Sequence, residues 1–74
     1  YIYALNKEDH VILLEDEIST GKTLTNTHSI LKELGISVFA IAAVTEVINF
    51  KGREHIKKET GIDLISLNKI KLLK

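Results

Sequence analysis

The chain alternates between short apolar runs and charged segments at spacings that alternate strand and helix. Residues 1–5 carry the period-two alternation of a strand, and the polar stretch 6–9 reads as a turn. Val11, Ile12, Leu13 and Leu14 follow as an unbroken apolar run of β-forming residues, which predicts a strand covered on both faces in a parallel sheet and ending where the charges begin at Glu15. Leu24, Thr27 or His28, Leu31 and Leu34 then recur at three- and four-residue steps. This predicts a helix that opens near Thr23 and buries one stripe, with Lys32 and Glu33 facing away. Gly35 closes it, with Leu31 placed to meet Ile36 in a Schellman turn.

Residues 37–44 form a second continuously apolar strand, so strand, helix and strand make one right-handed crossover unit. Residues 45–50 read as a connection. Residues 51–60 are charged and weakly helical with Ile56 as the one strong apolar anchor, and Gly61 ends them. Residues 62–67 predict a third strand, and residues 68–74 are a basic and apolar tail without an assigned state. Without repeat, low-complexity segment or linker, the pattern is that of part of an α/β fold with a three-layer, doubly wound parallel sheet.

Composition narrows the class. A single domain of 74 residues builds a modest core. With 45% hydrophobic residues it is a globular rather than a disordered composition. Ten basic residues balance ten acidic ones, so no global field recommends nucleic acid or an anionic membrane, and any anion site must be local. There is no cysteine to form a disulfide, and the longest apolar run, residues 38–44, is far too short to span a bilayer. A cytoplasmic location is the default expectation. The chain opens on Tyr1 in the middle of an apolar alternation, which suggests a fragment of a longer protein.

The chemistry concentrates in residues 11–23, VILLEDEISTGKT. In open parallel sheets ligands lie beyond the carboxyl ends of the strands, where this stretch delivers Glu15, Asp16 and Glu17 and then a hydroxyl-rich loop entering a helix. Backbone N–H groups at such a helix start, with the hydroxyls of Ser19, Thr20 and Thr23, suit a phosphate, and Gly21 permits close backbone approach. Glu15 and Asp16 suit instead two vicinal hydroxyls or the hydration shell of a magnesium ion. Acids beside a phosphate cup describe a ribose phosphate site. A nucleoside-triphosphate P-loop is disfavoured, because the glycine it needs five residues before Gly21 is replaced by Asp16.

These residues resemble the thirteen-residue PRPP-binding motif of type I phosphoribosyltransferases: four apolar residues, two acids, a variable pair, then hydroxyl, hydroxyl, Gly, any residue and hydroxyl. The resemblance implies that Glu15 and Asp16 bind the ribose 2′- and 3′-hydroxyls of PRPP. It further implies that Ser19, Thr20, Gly21, Lys22 and Thr23 form the 5′-phosphate loop, with Glu17 and Ile18 at the variable positions. Magnesium accompanies PRPP in such enzymes, here through water to Glu15 and Asp16 without a direct protein ligand. The implied reaction displaces pyrophosphate from C1 of the ribose by a base nitrogen through an oxocarbenium-like state. Purine-using members often carry Asp at the position of Ser19, which weighs against hypoxanthine or guanine here. Gly52-Arg53-Glu54 with residues 57–62 and 65–67 is similar to orotate phosphoribosyltransferases, although the Asp-Arg pair they carry near Val47-Ile48 is missing. The acidic form of the motif also resembles orotate-like enzymes found beside stress-resistance operons.

On this view the 74 residues are the C-terminal part of one phosphoribosyltransferase-like domain and inactive alone, with the pyrophosphate loop, lid and base-binding hood upstream. The parent would bind PRPP and a nucleobase-like molecule as a possible homodimer, with no nucleic acid or membrane partner. For Lys22 a solvent-facing side chain that screens the acids is an equal reading, and Lys51 and Arg53 are within reach of a phosphate but lie on a charged helix face of a kind commonly solvated. His10, His28 and His55 show no spacing that suggests a metal or a catalytic triad. Two further readings stay open. A signalling receiver domain also delivers acids from a strand, but its phosphate-accepting position would fall on Asn68. A non-catalytic regulator binding PRPP or a nucleotide would carry the same motif.

Overall fold

The computed structural model describes residues 2–4 and 10–73. The predicted turn at residues 6–9 lies outside them. The elements are β1 (Ile2–Ala4), β2 (His10–Ile18), α1 (Lys22–Glu33), β3 (Ser37–Val47), a 3₁₀ turn (Ile48–Phe50), α2 (Gly52–Thr60) and β4 (Leu64–Ile70). The sheet order is β1-β2-β3-β4; β1 runs antiparallel to β2, while β2, β3 and β4 are mutually parallel.

The helices pack against each other and against the parallel strands. Between them and the sheet lies one core of Val11, Leu13, Ile18, Leu24, Leu31, Ile41, Ala43, Ile56 and Leu64. Pleating accounts for the alternation: Leu13 pairs with Ile41 and both are buried beneath the helices, whereas the next pair, Leu14 and Ala42, turns to the other side. Among the described residues that second face is bare: Val44, Ile65 and Leu67 are exposed on it, Leu67 by 78%. The expectation of strands covered on both faces therefore holds for one face: the described residues build two layers of an α/β fold, with both helices on one side of the sheet.

The charges do not end β2, which runs four residues beyond Leu14 to Ile18 because β3 continues to pair with it: Glu15 with Ala43, Glu17 with Thr45 and Ile18 with Glu46. Ladder hydrogen bonds outweigh the low strand preference of acidic residues. By the same pairing β3 extends through Val47 into the expected connection. β4 starts at Leu64 rather than Ile62 and takes in Asn68, Lys69 and Ile70 of the tail. Beyond it the two sides of the Asn49 amide bond Leu72, donating to its carbonyl at 2.9 Å and accepting from its N–H at 2.7 Å.

The Schellman turn forms as expected, with Ile36 N–H bonded to Leu31 O at 2.9 Å and Gly35 N–H to Lys32 O at 3.0 Å. Leu34 departs from its predicted place on the buried stripe. It occupies the C-cap and is 69% exposed, since the helical geometry ends at Glu33. In α2, Ile56 is the anchor predicted and is completely buried, a contribution of about 1.5–3 kcal/mol from its side chain. Among the described residues no helix is long and apolar enough to cross a membrane.

Candidate functional site

β2 delivers its acids to both sides of the sheet. Successive side chains on a strand point oppositely, so Glu15 and Glu17 share one side and Asp16 takes the other. Glu15 and Glu17 border a cleft of about 190 Å³ completed by residues 18–24, and Asp16 borders the bare face with Leu14, Ala42, Val44, Ile65 and Leu67, where Glu15 also contributes from the strand edge. Among the described residues the pairing of β1 stops at Leu13, so Glu15, Asp16 and Glu17 have a strand neighbour on the β3 side alone. The two adjacent acids thus flank an edge of the strand instead of converging from one face.

The cleft is made by a tight exit from the strand. Ile18 is buried and anchors the chain; Ser19 is half-buried and Thr20 exposed. Gly21 turns left-handed at φ 79° to start α1, and its carbonyl accepts from Thr25 N–H at 3.0 Å. No side chain caps this helix. The Lys22 N–H reaches Thr20 Oγ1 at a long 3.4 Å, so the first turn retains N–H groups for an anion or for water. Lys22 and Thr23 are exposed at the cleft wall, and no acidic residue lies in the first turn of α1 to compete for those donors.

The floor of the loop is α2. A Cβ on Gly21 would lie 3.0 Å from Ile56 Cγ1 and 3.2 Å from Gly52 O, and a Cβ on Gly52 would collide with the Ser19 carbonyl. Gly21 is therefore required both for its left-handed turn and for its clearance. A hydrogen bond joins the helices, between Thr25 Oγ1 and His55 Nε2 at 3.1 Å.

A partly buried ionic cluster lies behind this floor, and the sequence reading missed it. Glu46, 3% exposed, pairs in the sheet with Ile18 on one side and Lys69 on the other. Arg53 Nη2 donates to Glu46 Oε1 at 2.8 Å and Arg53 Nε to both carboxylate oxygens at 3.2 Å; Ser66 Oγ donates to Oε1 at 3.0 Å. Arg53 Nη1 also donates to Leu64 O at 2.6 Å. The Arg53 hydrogen bonds hold the Glu46 carboxyl below the usual carboxylate range. Arg53, expected on a solvated helix face within reach of a phosphate, instead directs its guanidinium to Glu46, Leu64 O and Ser66. The sequence did contain a signal: a glutamate between β-forming Thr45 and Val47, with an arginine seven residues on. Among the described residues no three His, Cys, Asp or Glu side chains gather as a metal site. Asn68 lies inside β4 opposite Thr45, away from the strand end where a receiver's phosphate-accepting residue is needed.

No family model matches the chain. It is 37% identical over 70 residues to a hypoxanthine/guanine phosphoribosyltransferase of Methanothermococcus okinawensis, covering 95% of this chain and 37% of the relative. It is 36% identical over 66 residues to an adenine phosphoribosyltransferase of Clostridium kluyveri, covering 89% of this chain and 37% of that one. Among solved structures, adenine phosphoribosyltransferase from Thermoanaerobacter pseudethanolicus superposes with a TM-score of 0.74 at 27% identity, over 95% of this chain and 47% of that one. The Trypanosoma brucei adenine enzyme, crystallised with AMP, pyrophosphate and ribose 5-phosphate, shares the fold with a TM-score of 0.72 at 20% identity, over 88% of this chain and 30% of that one. The chain thus spans little more than a third of the length of the curated relatives named. Over nearly its whole length the chain is thus similar, in sequence and in fold, to part of the hypoxanthine/guanine and adenine phosphoribosyltransferases.

Proposed function

We propose that the protein carrying this chain transfers the phosphoribosyl group of PRPP to a purine base with release of pyrophosphate, and that residues 1–74 are the C-terminal part of its phosphoribosyltransferase domain. The observation that carries this reading is the cleft in which Glu15 faces a loop of hydroxyls ending at a left-handed Gly21 and an uncapped helix start. The 5′-phosphate lies against Ser19, Thr20, Gly21, Lys22 and Thr23, bonded by backbone N–H groups and hydroxyls in the field of the α1 N-terminus. Glu15 and Asp16 accept hydrogen bonds from the ribose 2′- and 3′-hydroxyls from either side of the β2 edge. Their all-oxygen donor set suits magnesium held through water, and magnesium bound with PRPP supplies charge neutralisation to the leaving pyrophosphate. The chain's own part is to fix the ribose phosphate while the base nitrogen displaces pyrophosphate from C1. The purine names of the relatives favour a purine acceptor over the orotate suggested by the sequence resemblance.

Calorimetric titration of the full-length protein with PRPP and magnesium tests this. Saturable binding is expected, weakened by Glu15→Gln and by Asp16→Asn by a few-fold to a hundred-fold each, about 1–3 kcal/mol for hydrogen bonds to a charged group. Pyrophosphate release is expected with hypoxanthine, guanine or adenine. Absence of PRPP binding overturns the proposal, and binding without release on any base leaves a regulator in place of an enzyme.

A further inference from the structure

Neither Arg53 nor Glu46 lines the cleft, yet a continuous series of close contacts runs from them to the loop. Arg53 is the second residue of α2, and its guanidinium is held on three sides by Glu46 of β3, Leu64 O of β4 and Ser66 Oγ of β4, the last at 3.3 Å. Gly52, the residue before it, is buried with its Cα against the Ser19 carbonyl and Ile18 Cγ2, with no room for a single added carbon. Gly52 O and Ile56 in turn leave no slack beneath Gly21. The first turn of α2 is therefore the back wall of the loop, and the ion pair fixes where that wall stands. The carboxylate's position reinforces the coupling, because Glu46 is also the ladder partner of Ile18, the last residue before the loop.

We infer that Glu46 and Arg53 are positioning residues for the loop of residues 18–23, setting its backbone through Gly52 so that its N–H groups are arranged for a phosphate before one arrives. This rests on the loop's proposed role as the 5′-phosphate site. A planar, five-donor guanidinium bonded on three sides restrains translation and rotation of the helix start in a way that an ammonium point charge does not. The pair thus acts on binding through preorganisation, which lowers the cost of ordering the loop at the moment of association.

The test uses the full-length protein with ribose 5-phosphate as probe, far below its thermal midpoint, reading affinity by titration and loop order by amide hydrogen exchange. Gly21→Ala examines the site itself. If that variant folds and binds ribose 5-phosphate as the parent does, the loop is not the phosphate site and the proposed function fails independently of the ion pair. With the site confirmed, Glu46→Gln and Arg53→Lys are expected to weaken ribose 5-phosphate about tenfold and to accelerate exchange at residues 19–23 by a similar factor. Amides near the C-terminus of α1, at Leu31 and Lys32, should keep their protection. Ser66→Ala, which removes the Ser66 Oγ bonds to Glu46 and Arg53 but leaves the ion pair, gives a smaller change in the same direction and serves where the charged variants do not fold. A lowered thermal midpoint in any folded variant, with affinity and loop exchange unchanged, shows the cluster to be merely structural and overturns the inference.

Discussion

Thr25 on α1 and His55 on α2 meet at 3.1 Å, Oγ1 to Nε2, and join the helix that follows the loop to the helix that floors it. Thr25 Oγ1 also donates to Lys22 O at 3.0 Å, so it accepts from His55 Nε2–H when both bonds form. Thr25→Val keeps the shape and removes both bonds. A loss of about 1 kcal/mol in urea unfolding is expected, with His55→Phe in the Thr25→Val background costing less than in the parent, as a double-mutant cycle measures.

Gly21→Ala combines a left-handed backbone with a Cβ pressed on Ile56 and the Gly52 carbonyl. It should cost on the order of 1–3 kcal/mol in stability, since both the strain and the contact oppose it, and should weaken ribose 5-phosphate in a titration. Gly35→Ala is the control. Its φ is also positive, at 78°, but nothing lies within 4 Å of the added carbon, so its stability loss is smaller and its ribose 5-phosphate affinity unchanged.

Ile56 is completely buried between the loop and the sheet. Ile56→Ala should destabilise by about 2–5 kcal/mol in equilibrium denaturation, through lost burial and the cavity left under Gly21. Ile56→Val should cost about 0.5–1.5 kcal/mol and leave the loop in place.

Acid should weaken the fold in two windows. His28 is held below its ordinary 6.5 by burial first and Lys32 second, so its contribution is complete above about 6.5 and is lost as pH falls through the folded value. Glu46 is held below its ordinary 4.5 by Arg53 hydrogen bonding above all, with Ser66 and Lys69 assisting. Its contribution is complete above about 4.5 and is lost as pH falls through its own folded value. Urea midpoints between pH 3 and 8 should show both declines, the lower one flattened in Glu46→Gln and the upper one in His28→Gln.

The elements were legible in the sequence because apolar spacing reports burial directly. Leu24, Leu31, Ile41 and Ile56 all stand in the core that their periodicity predicts. Strand ends were legible less well, since pairing partners are not written in the strand itself: Glu15, Asp16 and Glu17 read as a loop and lie in β2 because β3 holds them there. The separation of Glu15 from Asp16 across the strand follows from that same extension. The Glu46 cluster was hidden for a related reason. A buried carboxylate is tolerated when a guanidinium is delivered to it from another element, and the meeting of β3, α2 and β4 is a property of the topology rather than of any one segment.

The uncovered face of the sheet governs how these 74 residues behave by themselves. Val44, Ile65 and Leu67 present to water an apolar surface on a chain of zero net charge, with β4 as an open edge among the described strands. Nothing electrostatic keeps two such molecules apart, so colloidal stability rather than folding stability sets the usable concentration. Sedimentation of the isolated chain should show weight-average mass rising with concentration, and Ile65→Lys with Leu67→Glu should return it toward the monomer while leaving the buried face of the sheet untouched.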